Sequence, residues 1–220
     1  MAPDVIGVFG GTFDPIHFGH LRTALDVMQS VGLDEIRFIP LHNAVHRDQP
    51  ETPAELRLEM VRLAISQQQG FVVDEREIRR NGDSYTVETL ASLREEQPQR
   101  ALCLLMGMDA FNGFADWHRP DEILRLAHII VMQRPGEEGP KDSRVKRLLH
   151  RSQANTPAQL RTEDCGLILQ QAVTQLDISA SHIRSLLVQG QTPRYLLPEA
   201  VLQLIENNHL YRVDHTKQRQ

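Results

Sequence analysis

The sequence predicts an α/β fold, specifically a Rossmann-like doubly wound parallel sheet with helices on both faces. Short apolar runs typical of buried strands recur along the 220 residues, and segments with apolar residues at helical spacing separate them. The first forty residues predict a right-handed βαβ unit, with a strand at 5–9, a helix at 19–30 and a strand at 36–39. In such sheets ligands bind at the carboxyl ends of the strands.

The next predicted helix begins near Ala54. Thr52 and Glu55 have the spacing of a capping box, and Pro53 would occupy the first helical position. Its predicted apolar face consists of Leu56, Met60, Leu63 and Ala64. Further strands are predicted at 71–73, 101–106, 129–131 and 167–169, and further helices around 87–91, 123–126, 181–189 and 199–207.

We predict that residues 1–220 form a single domain, because 220 residues can bury a sizeable core without further domains. Only the segment 137–165 interrupts the alternation of strands and helices. Val145, Leu148 and Leu149 indicate one exposed helix there, so we predict a surface insertion. Two helices between residues 181 and 211 would close the domain.

Composition excludes several classes of protein. The 24 basic residues against 29 acidic ones give a net charge of −5, which argues against a nucleic-acid binder that relies on its overall charge. No apolar stretch approaches the roughly 18 residues of a membrane span, and the N-terminus lacks the features of a signal peptide. Cys103 and Cys165 form no disulfide scaffold motif. We expect a cytoplasmic protein that binds neither nucleic acid nor membrane.

The loop after the first strand is the segment most indicative of a binding site. The adjacent Gly10 and Gly11 permit close approach of a ligand to the backbone, and the loop leads into a helix whose free N–H groups attract an anion. His17 and His20 lie three residues apart at this helix start, so both could face one phosphate. Such a pair could also bind a metal. No Glu or further His completes an H-E-x-x-H motif, so phosphate binding is favoured.

This loop resembles the signature of the nucleotidyltransferases that make NAD and CoA precursors. The resemblance lies in Gly10-Gly11-Thr12-Phe13-Asp14-Pro15 and in His17-Phe18-Gly19-His20, which is similar to the family's T/H-x-G-H element. A second motif, Ile178-Ser179-Ala180-Ser181-His182-Ile183-Arg184, resembles its I-S-x-x-x-I-R element. Segments 84–86, 107–109, 114–117 and 134–135 resemble bacterial nicotinate-mononucleotide adenylyltransferases in particular. The resemblance extends from Ile6 to Tyr211 and is weakest across 137–165.

The resemblance implies a site for ATP and a site for nicotinate mononucleotide, with His17, His20 and Arg184 as the catalytic residues. The implied ATP-binding residues are Gly10, Gly11, Thr12, Phe13, His17, His20, Gly107, Asp109, Ile178, Ser179, Ser181 and Arg184. The implied mononucleotide-binding residues are Asn43, His46, Arg47, Tyr85, Thr86, Trp117 and Arg134. The residues by themselves leave alternatives open: the two serines and Asp109 could be helix N-caps, and Trp117 could belong to the core.

The implied reaction transfers the adenylyl group of ATP to nicotinate mononucleotide and releases pyrophosphate. A phosphate monoester has a second pKa of about 6, so the attacking group is already largely a dianion and requires neither a general base nor a covalent intermediate. Magnesium is expected to bind mainly through the ATP phosphates, with no metal site on the protein. The alternatives are a related transferase that uses nicotinamide mononucleotide or another phosphate acceptor, a non-catalytic nucleotide-binding sensor, and a metal-dependent hydrolase. A monomer or a small homo-oligomer is expected.

Overall fold

The computed structural model describes residues 4–43, 49–133, 136 and 139–212. Seven strands of these residues form one sheet: β1 (Val5–Gly11), β2 (Glu35–Pro40), β3 (Phe71–Val73), β4 (Ala101–Gly107), β5 (His128–Gln133), β6 (Gln153–Ala154) and β7 (Ile168–Ala172). They lie in the order β3-β2-β1-β4-β5-β7-β6, and every neighbouring pair is parallel. The predicted parallel sheet is confirmed.

The described α-helices are α1 (Phe18–Val27), α2 (Ala54–Ile65), α3 (Arg76–Arg80), α4 (Thr86–Glu96), α5 (Met108–Asn112), α6 (Pro120–Leu126), α7 (Ser143–Ser152), α8 (Ala180–Val188) and α9 (Glu199–Asn207). A π turn, Met28–Gly32, continues α1, and short 3-10 turns cover Phe114–Asp116 and Pro157–Arg161. Within the part of the chain that the structure describes, none of these helices is long and apolar enough to span a membrane.

Both faces of the sheet are buried because strand residues alternate between two hydrophobic cores. In β1, for example, Phe9 belongs to the core covered by α1, α2, α8 and α9, and Val8 belongs to the core covered by α4, α5, α6 and α7. This confirms the doubly wound arrangement. It also explains why the strands are continuous apolar runs in the sequence.

The strand order reverses at β1, which lies between β2 and β4. The chain proceeds outward from β1 through β2 to β3, then returns to the other side of β1 with β4. The two crossovers therefore diverge and leave a crevice at the carboxyl ends of β1 and β4. This is the position at which open α/β sheets bind ligands.

The segment 137–165 is not only a surface insertion, which corrects that expectation. Its two-residue strand β6 pairs with β7 at the sheet edge. Val145 and Leu149 of α7 are buried in the core of one face, and Ala154 and Leu160 are buried in the core of the other. This role was not predictable from the sequence because the few buried residues are separated by mostly polar residues.

The expected start of α2 is also wrong in detail. Pro53 is the N-cap rather than the first helical residue, and no side-chain cap hydrogen bond forms there, so the capping box of Thr52 and Glu55 is absent. The buried face is shifted as well. It consists of Arg57, Leu58, Met60, Val61 and Ile65, whereas Leu56 is only half-buried.

Candidate active site

A cavity of about 300 Å³ opens at the carboxyl ends of β1 and β4. Its floor is formed by the ends of β1, β2 and β4, and its walls come from the segment before and within α4 and from the turn that contains Trp117. Gly10, Gly11, Thr12, Gly107, Tyr85, Thr86 and Trp117, all predicted site residues, line it. The crevice predicted by the strand order is therefore a real cavity, and predicted residues of both substrate sites meet in it.

The two glycines of the first loop serve different purposes. A Cβ atom added at Gly10 would meet no protein atom within 4 Å, so its missing side chain leaves space on the cavity side. A Cβ at Gly11 would lie 2.8 Å from the ring of Phe13, so Gly11 is required by protein packing. Gly107 resembles Gly10, since nothing lies within 4 Å of its added Cβ.

One wall of the cavity is aromatic. Trp117 is half-buried and packs against Phe114 with ring centroids 5.6 Å apart, and Tyr85 packs against His118 with centroids 4.5 Å apart. Trp117 lines the cavity and also packs against the core, so the core interpretation is confirmed in part and ring stacking on a ligand stays a prediction. Flat rings with polar edges suit a planar heterocyclic ligand.

His17 and His20 lie together, as predicted from their spacing. His17 is the extended N-cap residue of α1, and the two imidazoles stack with centroids 3.8 Å apart. The backbone N–H of His17 donates to Nδ1 of His20 at 3.3 Å. This hydrogen bond leaves the proton of a neutral His20 on Nε2, where it can be donated to a ligand.

Burial lowers the pKa of both histidines. The pKa of His17 falls to about 4, and that of His20 falls to about 3 because burial is reinforced by the neighbouring His17. Both rings are therefore neutral at pH 7 in the ligand-free protein. They act as N–H donors rather than as fixed cations.

This burial predicts a pH-dependent stability. His17 binds its proton near pH 6.5 in the unfolded chain but only near pH 4 in the folded one, so the unfolded state holds more protons between these values. The free energy of unfolding should fall as the pH drops from 6.5 to 4, with a contribution from His17 of at most about 1.4 kcal/mol per pH unit. Chemical denaturation of wild type and His17→Gln at several pH values measures this, and the variant should have the shallower slope. Equal slopes would contradict the assignment.

The C-terminal motif packs directly against the histidine loop. The carbonyl oxygen of Ile178 lies 3.4 Å from the position of a Cβ atom at Gly19, and Nη1 of Arg184 donates to the carbonyl of Asp14 at 2.8 Å. Two motifs separated by most of the chain therefore form one surface. This agrees with the expectation that they share a ligand.

Arg184 forms an ion pair with an acidic side chain. Its Nε donates to Oε1 of Glu51 at 2.9 Å, and its side chain is 27% exposed. Sequence reasoning did not identify Glu51. An anion that binds Arg184 must share the guanidinium with this carboxylate or replace it.

Asp14 connects the first loop to the C-terminal part of the chain. This buried residue accepts hydrogen bonds from the backbone N–H of Glu51 at 2.9 Å and from the hydroxyl of Tyr211. Burial and the adjacent Asp14 raise the pKa of Tyr211, so the phenol keeps its proton. Asp14 thus has a structural role in holding the loop.

The remaining predicted ATP-binding residues differ from one another in burial and in hydrogen-bond partners. Phe13 is buried in the core against Phe9 and does not line the cavity. Ser179 is the N-cap of α8 and accepts from the N–H of His182, which confirms the capping alternative for this serine. Ser181 is exposed and lies 3.1 Å from Ser179 through their hydroxyls. Asp109 is exposed within α5, where Gly107 is the N-cap, so the capping alternative for Asp109 is wrong.

Of the predicted mononucleotide-binding residues outside the cavity lining, Asn43 is described. It forms a bridge with Asp83, and its carbonyl accepts from the N–H of Ser84 at 3.3 Å, beside the cavity wall. His46, Arg47 and Arg134 lie outside the described residues.

Two buried charged residues near the cavity were not among the predicted site residues. Glu77 lines the cavity, and Arg57 is 1% exposed and bonded to the loops around it. No sequence motif marks either residue. Among the described residues, no group of three or more His, Cys, Asp and Glu side chains is arranged to hold a metal ion.

Comparison with known proteins agrees with this arrangement. Residues 8–186 match the model of the cytidylyltransferase-like family. The chain is 43% identical over 208 residues to a probable nicotinate-nucleotide adenylyltransferase of Methylococcus capsulatus, covering 94% of this chain and 99% of the relative. It is 47% identical over 200 residues to one of Halorhodospira halophila, covering 91% and 92%.

The chain belongs to the nicotinate-nucleotide adenylyltransferase family. A solved structure of the nicotinic acid mononucleotide adenylyltransferase of Plasmodium falciparum in complex with NaAD matches with a TM-score of 0.69. It covers 94% of this chain and 97% of the other at 15% identity, which supports the adenylyltransferase fold. The family model ends at residue 186, two residues after Arg184, so it includes both motifs.

Proposed function

We propose that this protein transfers the adenylyl group of ATP to nicotinate mononucleotide, forming nicotinate adenine dinucleotide and pyrophosphate. A phosphate oxygen of the mononucleotide attacks the α-phosphorus of ATP, and the bond from that phosphorus to the bridging oxygen of pyrophosphate breaks. The observation that carries the proposal is the aromatic cavity at the carboxyl ends of β1 and β4, adjoining the loop of the stacked His17 and His20. The relatives named for this reaction support it.

The side chains supply positioning and electrostatic stabilisation. We assign the cavity wall of Tyr85, Thr86 and Trp117 to the mononucleotide, and His17, His20 and Arg184 to the ATP phosphates. The N–H at Nε2 of His20 donates to the transferring phosphate, where a donor stabilises the charge of the transition state more than that of the ground state. Arg184 contributes the permanent cation to the triphosphate.

Magnesium enters this proposal as part of the Mg–ATP substrate. Two carboxylates near the motifs are already engaged, since Asp14 accepts from Tyr211 and Glu51 pairs with Arg184. A small divalent ion that keeps most of its water and binds phosphate oxygens suits such a site. We also propose a cytoplasmic location, in line with the sequence.

The proposal is tested by measuring pyrophosphate release by the purified protein with ATP and Mg²⁺. Nicotinate mononucleotide and nicotinamide mononucleotide are compared as acceptors at equal concentrations. We expect release with the acid and much less with the amide. A preference for the amide would reassign the substrate, and release with neither acceptor by a folded protein that binds ATP would favour the sensor alternative.

Alanine variants of the adjacent Gly10 and Gly11 distinguish a glycine that leaves room for a ligand from one that protein packing requires. Gly10→Ala adds a methyl group where no protein atom lies within 4 Å, so we expect an unchanged Tm and a raised KM or lowered kcat. Gly11→Ala, the matched control, places the same methyl group against the ring of Phe13, so we expect a Tm lowered by several degrees. Thermal melts and steady-state rates of both variants check this. An active Gly10→Ala enzyme with normal KM values would show that no substrate approaches Gly10.

A further inference from the structure

Arg57 is a buried cation whose hydrogen bonds to the described residues all go to backbone carbonyls. Its Nη1 donates to the carbonyl of Thr12 at 2.8 Å, its Nη2 to those of Leu41 at 2.8 Å and His42 at 3.2 Å, and its Nε to that of Thr52 at 3.0 Å. In the described part of the chain no carboxylate forms a salt bridge with it. Arg57 therefore fixes the direction of the peptide carbonyls in the loops that follow β1 and β2.

Glu77 is a second buried charged residue, a carboxylate beside the same cavity. It is 6% exposed, lines the cavity and accepts a hydrogen bond from Oγ1 of Thr89 at 2.6 Å. The hydroxyl of Ser84 also lies close enough to stabilise its charge. Burial raises the pKa of this carboxyl, and the hydroxyls of Thr89 and Ser84 act in the opposite direction by stabilising its charge.

One peptide unit connects these two charges. The carbonyl of Leu41 accepts from Arg57, and the N–H of the same peptide, on His42, donates to Oγ of Ser84 at 3.0 Å. Because Oγ of Ser84 accepts from His42, its own proton is free to be donated to Glu77. The hydrogen bonds from Arg57 to Leu41 and from His42 to Ser84 run in one direction, toward the carboxylate that the Ser84 hydroxyl stabilises, and bonds aligned in this way polarise and strengthen one another.

The connected segments form the mononucleotide side of the cavity. Ser84 immediately precedes Tyr85 and Thr86, which line the cavity, and its N–H donates to the carbonyl of Asn43. The hydrogen bond of Glu77 goes to Thr89 of α4, on this side. Arg57 also binds Thr12 in the loop that leads to His17, so it contacts both sides.

We propose that Arg57 and Glu77 are positioning residues, which hold the mononucleotide wall of the cavity through the Leu41–His42 peptide and Ser84. This inference rests on the proposed function for the identity of the ligand. The hydrogen-bonded chain itself is independent of that identity. The two residues touch no reacting atom and act through the placement of Tyr85 and Thr86.

The kinetic test uses Glu77→Gln and Ser84→Ala, with Glu88→Gln as the matched control on the exposed face of α4. We expect a KM for nicotinate mononucleotide raised about tenfold in the first two variants, with a nearly unchanged KM for ATP. Arg57→Lys, which cannot reach four carbonyls at once, should raise both KM values. Combining Arg57→Lys with Ser84→Ala should raise the mononucleotide KM by less than the product of the single effects. Equal changes for both substrates in Glu77→Gln would overturn the proposal.

A second readout does not depend on catalysis. Hydrogen exchange of the His42 amide should be about three- to tenfold faster in Ser84→Ala, Glu77→Gln and Arg57→Lys than in wild type or Glu88→Gln. Unchanged exchange at His42 overturns the proposed chain whatever the activity. Faster exchange in the three variants, together with no release of pyrophosphate by the wild-type protein, would leave the chain standing and reject the proposed reaction instead.

Discussion

His20→Ala is expected to lower kcat about 100- to 1,000-fold, the usual consequence of losing one donor to a transition state. The variant removes the Nε2 proton that the hydrogen bond from His17 leaves available, and it removes no fixed charge because the pKa of His20 is about 3. Binding of ATP should change much less than kcat, because the donor acts mainly in the transition state. Steady-state kinetics and ATP titration measure the two effects separately.

Two conservative variants show which nitrogen is responsible. His20→Asn can retain an acceptor for the backbone N–H of His17 but has no donor in the position of Nε2, so it should fold normally and stay inactive. His20→Gln can place an N–H near the position of Nε2 and should recover part of kcat. An Asn variant as active as wild type would remove Nε2 of His20 from the mechanism, while equal loss of Tm in all three variants would indicate a purely structural residue.

The placement of the site was predictable from sequence because it depends on local patterns. The apolar runs of β1, β2 and β4 mark buried strands, and the spacing of His17 and His20 places both at one helix start. The predicted order of strands and helices then brings the first loop to the crevice. The burial of His20 was not predictable, because it depends on Phe9 and Phe13 packing edge-on against it. Its tautomer was not predictable either, because it depends on the hydrogen bond from the backbone N–H of His17.

Arg57 shows the limit of such patterns. It stands between two leucines in an amphipathic helix, where an arginine is usually a solvated charge, yet it is almost completely buried. Its partners are backbone carbonyls of residues between 5 and 45 positions away, which carry no side-chain signature. The apolar face of α2 was placed incorrectly for the same reason, since a charged residue occupies a buried position.

The prediction that segment 137–165 is a surface insertion was incomplete for a different physical reason. Its strand β6 has only two residues, too few to produce an alternating pattern, and its pairing with β7 spans a long connection. Glu51 was missed because an exposed glutamate in a loop has no distinguishing neighbours. Its role is visible only in the structure, where α8 brings Arg184 to it.

Arg184→Ala is expected to raise the KM for ATP about 10- to 100-fold, as for the loss of one or two charge-assisted hydrogen bonds to phosphate. The KM for nicotinate mononucleotide should change little, because Arg184 lies with the histidine loop and does not line the cavity. Arg151→Ala, which removes a guanidinium from an exposed ion pair on α7, is the matched control and should have normal kinetics. A larger effect on the mononucleotide would place Arg184 in the other subsite.

Glu51→Gln provides the opposite test of the same contact. Glu51 occupies the guanidinium, so removing its charge while keeping its shape should lower the KM for ATP, by at most about fivefold for a pair this exposed. A purely structural ion pair predicts that Arg184→Ala and Glu51→Gln both weaken the site. Competition between carboxylate and phosphate predicts opposite changes in the KM for ATP. The sign of the Glu51→Gln effect therefore decides whether the carboxylate holds the place of the triphosphate or orients the arginine that binds it.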